Sequence, residues 1–352
     1  RSLRRELRSC VPAGTLDFSS NDYLDMARHP RVRAALSHAR VGSGGSRLLS
    51  GAHVEHAELE RVLARWVGRE RALLFSSGYL AVLGAVVTLA PFARHAYANA
   101  ENHACAIDAL RLTKLPRTLF AHGALPPAAA RVEPALIVTE SSFGMSGIRT
   151  DIAALVATLG PSDVAVIDEA HALGVDGPNG AGACARHADE RLIVIGTLSK
   201  ALGGAGGFVA GPADAIDLLA TAARTFVFET APPPALAAAM LVAVEIVAGD
   251  EGERRRARLR ENVDVLHEAL LARDVTVARS GGPVVPILIG DAAEAFALGA
   301  ALERRGIYAP AIRPPTVAAG RSQLRITVRS DHTHAELRAF ANALAAVRHT
   351  YA

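Results

Sequence analysis

A chain of 352 residues, half of them hydrophobic and only 5% aromatic, carries enough apolar material for a large α/β domain with a smaller companion. That composition excludes a disordered or fibrous chain and points to a globular core rich in alanine and valine. A net charge of +3, from 38 basic and 35 acidic residues, suits anionic ligands and gives no footing for a nucleic-acid partner.

The basic runs Arg1 to Arg8 and Arg254 to Arg260 are interleaved with Glu6, Glu253 and Glu261, the pattern of solvated helix faces. Cys10, Cys105 and Cys184 are far apart and form no CxxC pair. Neither a disulfide framework nor a metal site is expected from them, and a reducing cytoplasm is. The longest apolar stretch, Gly78 to Ala93, is interrupted by Thr88 and Pro91 and is too short to span a bilayer, so no membrane partner is expected. No secretory signal is visible, and a first residue of Arg1 implies a trimmed start.

In chain order, Leu16 to Leu24 predicts a short strand running into a polar turn, and Pro30 suits the first turn of a helix. Val41 to Gly51 reads as a flexible glycine-rich loop. Leu59, Val62, Leu63 and Trp66 recur at helical spacing between Glu55 and Val67. From Ala72 the pattern alternates strand and helix, which implies a mainly parallel sheet covered by helices. The predicted strands are Ala72–Phe75, His95–Ala98, Thr118–Ala121, Ala135–Thr139, Val164–Asp168, Leu192–Gly196 and Gly207–Ala210. Their apolar runs are nearly continuous, as in strands buried on both faces. Helices over Pro234–Ala248 and Gly252–Ala272 follow. Then come strands near Val284–Ile289, Ile307–Ala311 and Gln323–Val328, and a closing helix from Thr333. The expected division is an N-terminal segment, 1–45, a large domain, 46–249, and a small C-terminal domain, 250–352.

The chemistry concentrates at strand ends. Of the 38 basic residues only Lys114 and Lys200 are lysines, and Lys200 ends a β-branched run beside Ser/Thr and a glycine-rich stretch. Arginine stays protonated in proteins, whereas a lysine amine can lose its proton and attack a carbonyl, so Lys200 is a candidate for a Schiff base. A solvated surface lysine is the plain alternative. Asp168, Glu169 and His171 fall at the carboxyl end of another predicted strand, where open α/β sheets bind ligands. Asp-Glu-Ala-His also resembles a helicase-type ATPase motif, but that reading needs a G-x-x-x-x-G-K-S/T loop, and neither lysine is followed by Ser or Thr.

A carboxylate facing a lysine suits pyridoxal phosphate: the acid keeps the pyridine nitrogen protonated, and the lysine carries the cofactor and moves protons. Asp168 and Lys200 lie on successive strand ends that a parallel crossover can bring together. Ser76-Ser-Gly-Tyr79 sits where a strand feeds a helix, a place where bare amides can seat a phosphate. His103 could stack on a planar cofactor. His53-Val-Glu-His56 has helical spacing but no third metal ligand, and reads as a helix start. Arg313 and Arg325 are candidate carboxylate clamps, since a guanidinium matches carboxylate geometry.

Taken together, these pieces resemble the α-oxoamine synthases, pyridoxal-phosphate enzymes of fold type I, the aspartate-aminotransferase fold. The resemblance runs nearly end to end, through Asn21-Asp-Tyr-Leu24, Gly42-Ser-Gly-Gly-Ser-Arg-Leu-Leu-Ser-Gly51, Asp168-Glu-Ala-His171, Gly196-Thr-Leu-Ser-Lys-Ala-Leu-Gly203 and Gln323-Leu-Arg-Ile-Thr327. It implies that Lys200 holds the cofactor, that Asp168 pairs with its ring nitrogen, that His171 touches the ring hydroxyl and that His103 stacks on the ring. Ser77, Gly78 and Tyr79 would seat the phosphate with Thr197 nearby. Thr230 matches a residue that reaches the phosphate from the other subunit, which implies a homodimer with shared active sites. Asn21 and Arg325 match positions that hold the amino-acid carboxylate. Within the family, Ala311-Ile-Arg-Pro-Pro-Thr-Val317 is most similar to the branch that condenses L-alanine with a pimeloyl thioester, and Arg313 would meet the distal carboxylate. Relatives usually carry serine where this chain has Gly144, and a small Gly or Ser where it has Ala172. The rival readings are a synthase using glycine or serine with another acyl chain, an aldolase or lyase on the same cofactor, and a non-catalytic homologue.

Overall fold

The computed structural model describes residues 10–127 and 131–351; the basic run Arg1 to Arg8 lies outside them. Twelve strands are formed among the described residues: β1 Leu16–Asp17, β2 Arg71–Phe75, β3 His95–Asn99, β4 Arg117–Phe120, β5 Ala135–Glu140 and β6 Val164–Asp168. They continue with β7 Leu192–Thr197, β8 Gly207–Gly211, β9 Val284–Gly290, β10 Ile307–Tyr308, β11 Ala311–Ile312 and β12 Ser322–Thr327. Each predicted strand of the main sheet is present, with ends that match or shift by one residue.

The chain divides into two compact units. One comprises residues up to Tyr23, Gly144–Gly147 and Arg255 onwards; the other comprises Leu24–Phe143 and Ile148–Arg254. Among the described residues the divisions fall after Tyr23 and after Arg254. The reason is strand pairing, because β1 pairs in parallel with β10, Leu16 opposite Ile307.

The larger unit is built on a seven-stranded sheet in the order β2-β8-β7-β6-β5-β3-β4. Neighbours from β7 through β4 run parallel, whereas β8 is antiparallel to both β2 and β7. Strands β5 and β7 are buried along their whole length, as their uninterrupted apolar runs require. The helix Gly78–Leu89 packs Ala81, Val82, Ala85 and Val86 against one face, in a core with Phe75, Val138, Ile195 and Val209. Ile137, Ile152, Leu155, Ile167 and Val194 fill the other. In-register pairing aligns the carboxyl ends: Glu140 lies opposite Asp168, and Asp168 opposite Ile195, two residues before Thr197.

The helix Val54–Trp66 confirms that His53 and His56 are a helix start. The His53 side chain and the His56 Nδ1 form a capping box, and His56 is fully buried. The loop before it is not free: Ser46 bridges Thr230, and a Cβ on Gly51 would lie 1.9 Å from the Gly45 carbonyl oxygen.

In the smaller unit, β9, β12 and β11 form an antiparallel sheet in the order β11-β12-β9. The predicted single strand Ile307–Ala311 is instead two, β10 and β11, on different sheets. Pro310 lacks the N–H that a continuous ladder needs and offers its carbonyl to the Arg325 N–H at 3.0 Å. The closing helix, His334–Tyr351, starts from Thr333, which exchanges hydrogen bonds with Glu336. Among the described residues no helix is long and apolar enough to cross a membrane.

Candidate active site

The carboxyl edge of the larger unit's sheet gathers the residues singled out above. Strand β7 delivers Thr197, buried, and three residues on Lys200, whose Nζ lies 3.0 Å from His171 Nε2. Strand β6 delivers Asp168, whose Oδ1 accepts the Ala170 N–H at 2.9 Å, so the turn after the strand fixes the carboxylate. Three residues after Asp168, His171 is 8% exposed.

His103 caps the helix Ala104–Leu112. Its N–H donates to Glu140 Oε1 at 2.7 Å, and its Nδ1 accepts the Cys105 N–H at 3.3 Å with the Cys105 Sγ 3.0 Å away. Burial lowers its pKa; Asp168 pushes the other way, and Lys200 lowers it further. Burial thus favours the neutral imidazole over the charged one. Tyr79 stands edge-on to it, centroids 6.4 Å apart, and donates its hydroxyl to Asp108.

The phosphate-seat candidate is the turn between β2 and the helix Gly78–Leu89. Ser77 caps the helix by accepting the Leu80 N–H, leaving the first-turn amides of Gly78 and Tyr79 directed outward from the helix end. A Cβ on Gly78 would lie 3.2 Å from the Thr197 Cβ and 3.3 Å from its Oγ1, a tight contact that would press on the Thr197 side chain. On the other side, Gly207 lies against the turn: a Cβ there would come within 2.5 Å of the Gly78 nitrogen. Thr197 Oγ1 is itself placed by the Gly206 carbonyl at 3.1 Å and by Ser199 Oγ at 2.8 Å.

Lys200, His171, Asp168, His103, Ser77, Gly78, Tyr79 and Thr197 thus share one edge of one unit. Thr230 is exposed and bridges Ser46; its neighbour Glu229 accepts the Ser76 hydroxyl at the seat. Asn21, Arg325 and Arg313 belong to the smaller unit. There Arg325 is 5% exposed, and its guanidinium donates to the Gly144 carbonyl (2.6 Å), Thr327 Oγ1 (2.9 Å) and Asn21 Oδ1 (3.1 Å). These three donations, with a further hydrogen bond to the Tyr23 side chain, hold the guanidinium in place. Arg313 follows β11, the neighbour of β12, with its guanidinium carbon 4.8 Å from the Phe296 ring centroid.

Four residues to which the sequence assigns no role in the site support this arrangement. Glu140 orients His103, and Cys105 packs on its ring. Glu169, fully buried and with its pKa raised by that burial, accepts the Ala183 and Cys184 N–H groups and so pins the segment after His171. Tyr23 donates to Asn21 Oδ1 at 3.3 Å, and burial pushes its phenol up to about 12 against the opposing pull of Arg325. Tyr23 and Glu169 lie inside motifs already quoted; the signal available for Glu140 is its place at a strand's carboxyl end.

The donor set fits pyridoxal phosphate: amides at a helix start and a hydroxyl for the phosphate, an acid, a primary amine and a neutral imidazole. The profile of aminotransferase class I and II matches residues 13–344. The 8-amino-7-oxononanoate synthase of Aromatoleum aromaticum is 40% identical, over 98% of this chain and 94% of its own. Among solved structures, a serine palmitoyltransferase with PLP as an internal aldimine superposes with a TM-score of 0.88 at 27% identity, covering 96% of this chain and 88% of its own. The 8-amino-7-oxononanoate synthase of Francisella tularensis gives 0.82 at 26%, covering 96% and 99%. The chain belongs to the aminotransferase class I and II family, within the group of pyridoxal-phosphate enzymes that its 8-amino-7-oxononanoate synthase relatives represent.

Proposed function

We propose that the protein is a pyridoxal-phosphate-dependent acyltransferase of biotin biosynthesis. It condenses L-alanine with a pimeloyl thioester to give 8-amino-7-oxononanoate, the free thiol and carbon dioxide. The observation that carries this reading is the Lys200 amine 3.0 Å from His171, on the sheet edge that also bears Asp168.

In this reading the Gly78 and Tyr79 amides, with the Ser77 turn and the Thr197 hydroxyl, take the cofactor phosphate. The Asp168 carboxylate holds a proton on the pyridine nitrogen. His103, whose charged form burial disfavours, would stack on the ring, and His171 would meet the ring hydroxyl. When bound, the cofactor supplies an electron sink for the pair left at the substrate's α-carbon. Lys200 would hold the cofactor through its amine, and the same amine would remove the α-proton of the substrate and later return one. Asn21 and Arg325 hold the alanine carboxylate, and Arg313 takes the distal carboxylate of the pimeloyl chain.

Thr230 reaches the phosphate of a second subunit, so the working form is a homodimer. Support comes from the apolar surface near the Ser46–Thr230 bridge: Phe228 is 71% exposed, Leu49 82% and Val54 73%. A cytoplasmic setting fits three unpaired thiols, Cys10, Cys105 and Cys184.

The rival within the family, serine or glycine with another acyl donor, draws on the serine palmitoyltransferase neighbours at 27% identity. Mass spectrometry of products from alanine, glycine and serine against a panel of acyl-coenzyme A thioesters separates the two. Alanine with pimeloyl-coenzyme A yields the decarboxylated amino ketone if the proposal holds; a preference for serine and a long-chain donor overturns it.

A further inference from the structure

Arg47, Arg224 and Arg313 each lie over an aromatic ring. Arg47 spends its guanidinium on both oxygens of Glu60, at 2.8 and 2.9 Å. Arg313 differs. It has no carboxylate partner among the described residues, and its Nη1 is buried without a hydrogen-bond partner. An unpaired buried donor is costly; Arg47 Nε shares this state, but Arg47 already holds a carboxylate whereas Arg313 has none, so an incoming carboxylate would satisfy Arg313.

The backbone holds this pair in place. Arg313 follows β11 and precedes Pro314 and Pro315, whose rings fix φ, and the Thr316 N–H closes the turn onto the Arg313 carbonyl at 3.0 Å. Phe296 sits on the helix Ala292–Glu303, whose start is capped by Asp291. Three residues on, Gly299 lets that helix approach the strands closely. A Cβ there would lie 3.3 Å from the Ala309 carbonyl oxygen and 3.6 Å from the Ala311 Cβ. Phe296 is thereby held one helical turn from the closest approach to β11, beneath the residue that follows it. A guanidinium resting on a ring face loses rotamer freedom while its N–H groups stay available in its own plane. The ring itself is 49% exposed, which leaves apolar surface for a polymethylene chain.

We propose that Phe296 is a specificity-determining residue. It holds Arg313 ready for the terminal carboxylate of an ω-carboxyacyl donor, and so selects that donor over a plain acyl chain of equal length. This rests on the reading of the protein as a pimeloyl-thioester enzyme.

The test compares kcat/KM for pimeloyl-coenzyme A and heptanoyl-coenzyme A, with L-alanine, in holoenzyme of the wild type, Phe296→Ala, Phe296→Leu and Phe296→Tyr. Calorimetric binding of free pimelate provides a readout independent of turnover. Phe296→Ala and Phe296→Leu are expected to lower the preference for the dicarboxylic donor about three- to tenfold, the range of a cation–π contact. The loss falls on KM for pimeloyl-coenzyme A with kcat kept, pimelate binds correspondingly more weakly, and Phe296→Tyr retains the preference. An unchanged ratio in Phe296→Ala and Phe296→Leu, or an equal loss for both donors, overturns the proposal. A wild type that makes the amino ketone from both donors without preference also overturns it, leaving the reaction type intact. A wild type that makes no amino ketone overturns the functional reading itself.

Discussion

Lys200 Nζ and His171 Nε2 lie 3.0 Å apart, the amine from the end of β7 and the imidazole from the turn after β6. The contact couples the chain's proton-moving group to a histidine that is 8% exposed and whose backbone is held by the Asp168–Ala170 turn. Replacing Lys200 by arginine keeps the charge but removes the amine that can lose its proton. Turnover is expected to fall by at least about 10²-fold, the lower bound for a general acid–base group. His171→Asn is expected to lower kcat more than KM for alanine, and steady-state kinetics on the two variants check both expectations.

The seat for the phosphate tolerates no added bulk from behind. A methyl on Gly207 would press on the Gly78 nitrogen and Cα and on the Ser77 carbonyl carbon, all backbone atoms within 2.6 Å. Gly207→Ala is therefore expected to shift the seat, to weaken cofactor binding and to cost about 1–3 kcal/mol of stability, as overpacking does. Titration of apoprotein with pyridoxal phosphate and thermal unfolding of the same sample read the two effects.

Arg325 donates to a carbonyl, a hydroxyl and an amide oxygen at once, a fan that a lysine ammonium cannot reproduce. Arg325→Lys is expected to raise KM for alanine and to destabilise the fold by about 1–3 kcal/mol through the buried acceptors left unpaired. Asn21→Ala removes one of these acceptors, so its effect on KM is smaller. Parallel kinetics and denaturant unfolding on both variants give the ranking.

Four histidines, His56, His103, His267 and His332, have pKa values lowered from 6.5 chiefly by burial. Each binds a proton more weakly in the folded than in the unfolded chain. The stability they contribute is complete above about pH 6.5 and is lost as pH falls through the lowered values. His56 is the most constrained: Nε2 meets the Pro232 carbonyl at 2.7 Å and Nδ1 accepts the His53 N–H at 3.2 Å, so a second ring proton would face a donor. Melting temperatures are expected to drop between pH 7.5 and 5, and His56→Gln to flatten that drop. Parallel curves for the two proteins would remove His56 from the explanation.

The apolar surface near Ser46 and Thr230 should disperse the dimer when charged. Leu49→Asp alters a residue that is 82% exposed in the single chain, so folding is expected to be spared. Light scattering should report a shift towards monomer, with loss of bound cofactor in proportion.

What was legible in the sequence was local. The run Leu192–Ile195 is apolar at every position and reads as a doubly buried strand over Leu192–Gly196, which sets Lys200 just beyond its end. Asp168 followed from the same logic on β6. What escaped was set by partners distant in sequence: the Glu140 carboxylate under the His103 amide, 37 residues apart, and Leu16 beside Ile307. Pro310 was visible inside Ile307–Ala311, yet only pairing with two different sheets shows it as a break. The Arg313–Phe296 stack depends on how closely Gly299 lets a helix approach β11, a tertiary fact with no periodic signature.

With only two lysines in the chain, the anchor can be identified without ambiguity. Borohydride reduction of the holoenzyme, followed by proteolysis and peptide mass spectrometry, locates the carbon–nitrogen bond to the cofactor. The account predicts the pyridoxyl mass on the peptide containing Lys200 and none on that containing Lys114. A label on Lys114, or a holoenzyme that takes up no label at either position, contradicts it.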